Sequence, residues 1–303
     1  MKTQSTLFYV IILLLQLSCS NKFYRAKGTT QIATVNNNVC KRLTGNVLLY
    51  AIFVDSRDTH PWTAYDINST LDSVSKAMTW IMSKAKEDSI DLSINIKFHQ
   101  KNDTIPIAQN LYESTLYYTL FTPNVFEGID NLDFWANNIA KKASLSFPSD
   151  TSKIVETKNV ITSRERLIAR LRNIYKTDNV VIMYFLNSYY QNDISLALFT
   201  GSHEKTEFSI VTFKKPAVIA HEFLHVFGAL DLYMSPFDRK RKALKSKIKI
   251  METFPTEIMA FADRSIEKLS ISSLTKYLIG WTPELDDKQK TMMFGKKLKV
   301  YKY

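Results

Sequence analysis

The stretch PAVIAHEFLHVFGALD, residues 216–231, organises the rest of the chain. Pro216 suits the first turn of a helix, where its missing N–H is one that a helix leaves unpaired in any case. His221 and His225 are four residues apart, so on a helix their side chains project from one face, one turn from each other. Two imidazoles placed in this way can grip one Zn²⁺ ion. Glu222 falls beside them, where a carboxylate can take a proton from a water and pass it to a leaving amine. Gly228 comes three residues after His225. A glycine there can take positive φ, end the helix and turn the chain back. Asp231 then arrives where a third ligand is needed, and a carboxylate is a legitimate zinc ligand. The competing origin of such a helix is a core element whose two histidines are satisfied by hydrogen bonds.

Moving upstream, residues 208–213 (FSIVTF) and 195–200 (SLALFT) form a pair of strand candidates, with a turn-like Gly201-Ser202 between them. Residues 180–185 (VVIMYF) and 46–55 (NVLLYAIFVD) are near-continuous apolar runs, as expected of strands buried on both faces. Residues 94–98 (INIKF) alternate like a strand. Leu71, Val74, Met78 and Ile81 recur at helical spacing with no Pro or Gly inside the stretch, which predicts a helix over 63–86. Two more helical stretches fall at 132–145 and 164–175. This order predicts an α/β (α+β) fold with a mixed sheet of about five strands. The periodicity does not place segment 102–179 in that sheet.

The chain has 303 residues, 45% of them apolar and 23% charged, which suits one large folded domain and not a disordered chain. A formal charge of +11 favours acidic partners or membrane surfaces without identifying a fold. No nucleic-acid motif and no Gly-rich phosphate loop occurs, so no nucleic-acid partner is expected. The only cysteines are Cys19 and Cys40, too few for a disulfide framework.

The N-terminus carries a short basic start, Met1-Lys2, then the apolar run LFYVIILLLQL at 7–17. That run is short for a membrane span and fits the core of a signal peptide over 1–18. The following Leu17-Ser18-Cys19-Ser20 resembles the lipobox of bacterial lipoproteins, although Gln16 stands where leucine is usual. Cys19 is therefore the expected lipidation site, with residues 19–45 as lipidated N-terminus and tether. Plain cleavage after Ser20 is the competing outcome. The expected location is the bacterial cell envelope, with the protein anchored to a membrane by lipid.

The eleven residues HEFLHVFGALD resemble the signature of the metzincin clan of zinc peptidases, HExxHxxGxxH, in the form where Asp replaces the last His, as in snapalysin-like members. The resemblance spans about residues 46–281. It implies a zinc metallopeptidase domain over 46–285, with an upper part (46–228) and a smaller lower part (229–285). It also implies a twisted mixed sheet above an active-site helix and a methionine-containing turn beneath the metal. Thr256-Glu257-Ile258-Met259-Ala260 is similar to that turn, with Met259 as its methionine and Met251 as a second candidate. Residues 271–280 would be the helix that follows. Phe261 stands where several members carry tyrosine. The implied function is a metalloendopeptidase with one catalytic zinc on His221, His225 and Asp231 and with Glu222 as general base. The partners are a peptide or protein substrate lying along an edge strand at 195–200, and a membrane through the lipid. A monomer is expected. Two alternatives stand: a gluzincin-type peptidase with Glu257 as third ligand, and a non-catalytic binding lipoprotein of the same fold.

Other features carry weaker signals. Residues 239–249 (RKRKALKSKIK) include seven basic side chains, expected as a solvated loop that could attract acidic substrates or polyanions. Residues 286–303 are expected as a basic tail. His60, His99 and His203 are assigned structural or surface roles. Cys40 could act as a latency ligand, although no latency motif surrounds it.

Overall fold

A computed structural model describes residues 40, 42–101, 104–112, 115, 125–147, 162–177, 179–187, 195–198, 206–234 and 241–294. Cys19, His203 and the lysines of 295–303 lie outside the described residues. So do the predicted signal peptide and almost all of the predicted tether.

The fold is a mixed α/β arrangement built on strand β1, Gly45–Asp55. Residues 47–54 of this strand are each at most 3% exposed. Its side chains alternate between two cores. Val47, Leu49, Ala51 and Phe53 enter one; Leu48, Tyr50, Ile52 and Val54 enter the other. Each fully buried Leu, Ile, Val or Phe contributes about 1.5–3 kcal/mol relative to exposure, so a strand filled on both faces is a strong organiser of the fold.

The other strands are β2 (Leu92–Phe98), β3 (Ile107–Ala108), β4 (Asn179–Leu186), β5 (Leu196–Leu198) and β6 (Phe208–Val211). They form a six-stranded sheet in the order β2-β1-β4-β6-β5, with β3 paired to the far end of β1. Among these described strands all pairings are parallel except β5 with β6, which is antiparallel. The sixth strand, β3, is a correction to the expected five: two residues are too few to show a period.

Helix α1 (Ala64–Glu87) covers one face of the sheet. It begins at a reciprocal capping box, in which the Asp66 N–H donates to Thr63 Oγ1 and the Thr63 N–H donates to Asp66 Oδ2. The opposite face is covered by α2 (Val125–Ser144) and α3 (Ser163–Tyr175), both from the segment that periodicity left unplaced. Arg164 at the start of α3 is only 1% exposed. It is tolerated there because Asp133 pairs with it at 2.5 Å and the Phe208 ring lies 4.6 Å beneath its guanidinium. His99 is buried between Tyr50 and Ser146, while His60 is exposed.

Beyond the sheet come α4 (Pro216–Val226), α5 (Arg241–Thr253), α6 (Ile258–Phe261), a short 3₁₀ turn, α7 (Ser273–Ile279) and α8 (Asp287–Phe294). Two expectations are corrected here. The basic run is helical from Arg241 onward, because Lys, Ala and Leu are strong helix formers and Ile250 docks one face in the core. The expected basic tail includes α8, which buries Met292. Among the described residues no helix is long and apolar enough to cross a membrane.

Candidate metal centre

Helix α4 packs against β5, β6 and α1, so its inner face is held by the sheet. Pro216 occupies its first turn. The helix stops at Val226, and Gly228 follows with φ of 97°, a conformation that a side chain would strain. The Gly228 N–H donates to the His225 carbonyl and the Ala229 N–H to the Leu224 carbonyl, so the turn closes on the helix that it ends. Three residues after the glycine, Asp231 has returned to the histidines.

The three side chains converge. His221 Nε2 and His225 Nε2 are 3.0 Å apart, and Asp231 Oδ1 lies 3.1 Å from each. The outer nitrogens face backbone carbonyls: His221 Nδ1 is 3.2 Å from the Ile258 oxygen, and His225 Nδ1 is 2.8 Å from the Ala229 oxygen. A carbonyl only accepts, so each Nδ1 is assigned the hydrogen, and each neutral ring turns the lone pair of Nε2 inward. Three electron-rich atoms this close need a cation among them. The group can hold a metal ion.

Without metal, a proton fills that need. Burial by itself would depress His225, but the Asp231 carboxylate beside it, helped by Glu222 and the Ala229 carbonyl, outweighs burial and pushes its pKa up to about 9. Burial would raise Asp231, yet the two histidines hold it well below the usual carboxylate range. Because the folded pKa of His225 lies above its ordinary 6.5, this stabilisation of the metal-free fold is complete below pH 6.5 and is lost as pH rises through about 9. A metal must displace the same proton. Metal affinity should therefore rise about tenfold per pH unit from 7 to 9 and level off above, with one proton released per ion bound. Competition against a chelating indicator, with proton release in weak buffer, measures this; a flat profile from 7 to 9 would exclude a shared proton.

Glu222 is 5% exposed, and among the described residues no hydrogen bond reaches its Oε2. Burial raises its pKa, opposed by the two histidines and reinforced by Asp231. An orphaned buried carboxylate oxygen next to a cation site is a costly feature for a structural helix.

The turn at 256–260 lies against this group. The Ile258 carbonyl meets His221, and the Met259 carbonyl accepts from the Leu232 N–H at 2.9 Å, next to Asp231. Met259 itself is fully buried. Glu257 does not join the histidines. Its carboxylate is completely buried and accepts from Met259 N–H (3.0 Å), Thr275 Oγ1 (2.9 Å) and Ser272 N–H. The alternative of Glu257 as third ligand is corrected by this geometry: the carboxylate is saturated by the turn and by α7. Glu257→Ala should strand three buried donors, each worth about 1–3 kcal/mol, and lower stability by roughly 3 kcal/mol or more. Glu257→Gln keeps an acceptor oxygen and should lose less. Denaturant midpoints of the two variants check the order.

Two residues here escaped the motif. Tyr233 is partly exposed, with its ring centre 6.5 Å from that of His221. Glu257 was weighed as a ligand and not as a buttress. The signal for Tyr233 was its position two residues past Asp231; none existed for the partners of Glu257. Cys40 is buried, and its thiol donates to the Val180 carbonyl at 3.4 Å, so in this structure it belongs to the core and not to the histidine group.

Fold and site together define a mixed α/β protein with a His-His-Asp group able to hold a metal ion. Comparison with known protein families, with curated proteins and with solved structures returned no match to this chain.

Proposed function

We propose that the protein is a zinc-dependent endopeptidase of the metzincin-like type, exported and held to a membrane by a lipid on Cys19. The observation that carries the catalytic half is the convergence of His221, His225 and Asp231 within about one ligand spacing, with Glu222 buried beside them. Two imidazoles and one carboxylate form a donor set suited to catalytic zinc, which keeps its fourth position open. Ligand atoms about 2.0–2.1 Å from a tetrahedral ion stand roughly 3.3 Å apart, close to the spacing seen. Met259, fully buried in a turn whose backbone meets His221 and the residue after Asp231, would be the counterpart of the clan's turn methionine. The anchoring half rests on residues 1–20 alone.

His221, His225 and Asp231 would hold the ion, which when bound supplies Lewis acidity to a scissile carbonyl and to the attacking water. The two backbone carbonyls behind the rings keep the imidazoles aimed. Glu222 takes the proton of that water and delivers it to the leaving amine; its buried carboxylate is a stronger base than one in water. Strand β5 ends the sheet order, so one of its edges is free, among the described residues, for an extended peptide to add as a further strand. The test is cleavage of a denatured protein, abolished by a chelator and restored by zinc. Binding of that protein without cleavage would instead support the non-catalytic lipoprotein.

A further inference from the structure

The centre leaves unexplained the most concentrated positive charge among the described residues. In α5, Arg241, Lys242, Lys245 and Lys249 are all exposed, and no ion pair reaches any of them among the described residues. At 100° per residue these four and Ile248 span about 120° of the helix surface. Ile250, the buried anchor of α5, points the opposite way. One acid, Glu252, closes the stripe at the C-terminal end. Ile248 sits at one edge of this stripe, next to Arg241 in angle, and is 41% exposed, although it is a large apolar side chain.

The described chain also joins the fold on this side of the molecule. The Leu43 N–H donates to the Ile279 carbonyl at 2.9 Å, and Trp281 Nε1 donates to the Leu43 carbonyl at 2.6 Å. Both contacts lie at the C-terminal end of α7. At the other end of that seven-residue helix, Ser273 accepts from Gln289 of α8, and α8 packs on α5. Leu43 therefore docks on the helix that α8 links to α5.

We infer that the outer face of α5 is a docking surface for an anionic lipid bilayer, with Arg241, Lys242, Lys245 and Lys249 at the headgroups and Ile248 dipping in at the edge of the stripe. Clustered basic side chains attract the negative surface of an anionic bilayer, and an exposed apolar side chain beside them can enter its interface. An acidic polypeptide would use the charge but leave Ile248 without a purpose. A lipid on Cys19 would act together with this face, since one weak anchor plus a basic patch holds far better than either alone. The inference does not depend on peptidase activity.

The experiment uses the full chain with Cys19→Ser, which removes any acyl chain, and reads co-sedimentation with vesicles. Vesicles of phosphatidylcholine alone are compared with vesicles containing phosphatidylglycerol, at about 0.1 M and about 0.5 M salt. Binding to the anionic vesicles should be at least tenfold tighter and should fade at high salt. Each basic residue at such a surface contributes about fivefold, so Arg241→Gln/Lys245→Gln/Lys249→Gln should lose about 100-fold. Ile248→Ser should lose several-fold while keeping the salt dependence. These side chains are exposed, and an unchanged circular dichroism spectrum controls for folding. Equal binding to both vesicle types, or an unaffected triple variant, overturns the inference. Tighter binding to soluble poly-glutamate than to anionic vesicles overturns it too, and assigns the face to an acidic polypeptide.

Discussion

Glu222→Gln should lower turnover of a denatured-protein substrate by about 10²–10⁴-fold while leaving the zinc content unchanged. Glutamine keeps the size and one acceptor oxygen of glutamate, so the helix and the neighbouring histidines stay in place. What it loses is a group able to accept a proton and return it. The buried position sharpens the effect: with Glu222 at 5% exposure, solvent is a poor substitute as proton carrier. The buried neutral amide should not destabilise the fold, because it replaces a carboxylate oxygen that has no hydrogen-bond donor among the described residues. Zinc analysis, a thermal unfolding curve and the peptidase assay on one preparation separate these effects. Parent-level turnover in this variant would falsify the proposed mechanism.

Asp231→Ala should weaken zinc binding by more than about 100-fold, beyond the 10–100-fold typical of losing a partner that only supports a ligand. Asp231 touches both imidazoles at 3.1 Å, so its removal deletes a ligand and also the charge that offsets the ion. The same substitution should drop the His225 pKa from about 9, since the carboxylate is what outweighs burial there. Glu257→Gln serves as the comparison, because the Glu257 carboxylate is held by Met259, Ser272 and Thr275 and is hydrogen-bonded to neither ring. If Glu257→Gln lost zinc as fully as Asp231→Ala, the ligand assignment would be wrong. Titration against a competing chelator gives both affinities, and the imidazole resonances of His225 follow its protonation.

Much of the core was legible because it is written in local patterns. Residues 46–55 and 180–185 are near-continuous apolar runs, and the structure places both at the centre of a sheet covered on two faces. The helix over 63–86 is real to within a residue at each end, because Leu71, Val74, Met78 and Ile81 mark one face and Thr63 with Asp66 marks the start. Pro216, the two histidines and Gly228 announced a helix, its paired donors and its stop, all inside thirteen residues. The basic run misled because charge dominates its composition. Its apolar positions, Ala243, Leu244, Ile248, Ile250 and Met251, are interleaved with the charges and continue past them.

The pairing of chemical groups, the helix that bears them and the two-faced burial of the central strands can be read in the order of residues, since they depend on neighbours a few positions away. Other features come from folding in three dimensions. Glu257 looked like a possible ligand until its partners, 15 and 18 residues further on, closed around it. The carbonyl that aims His221 comes from 37 residues away. The helical stretches at 132–145 and 164–175 were legible, but not that both would cover the second face of the sheet. The first two share one physical reason. A buried polar group must find a partner, and which partner is in reach depends on how distant segments pack, which no local spacing records.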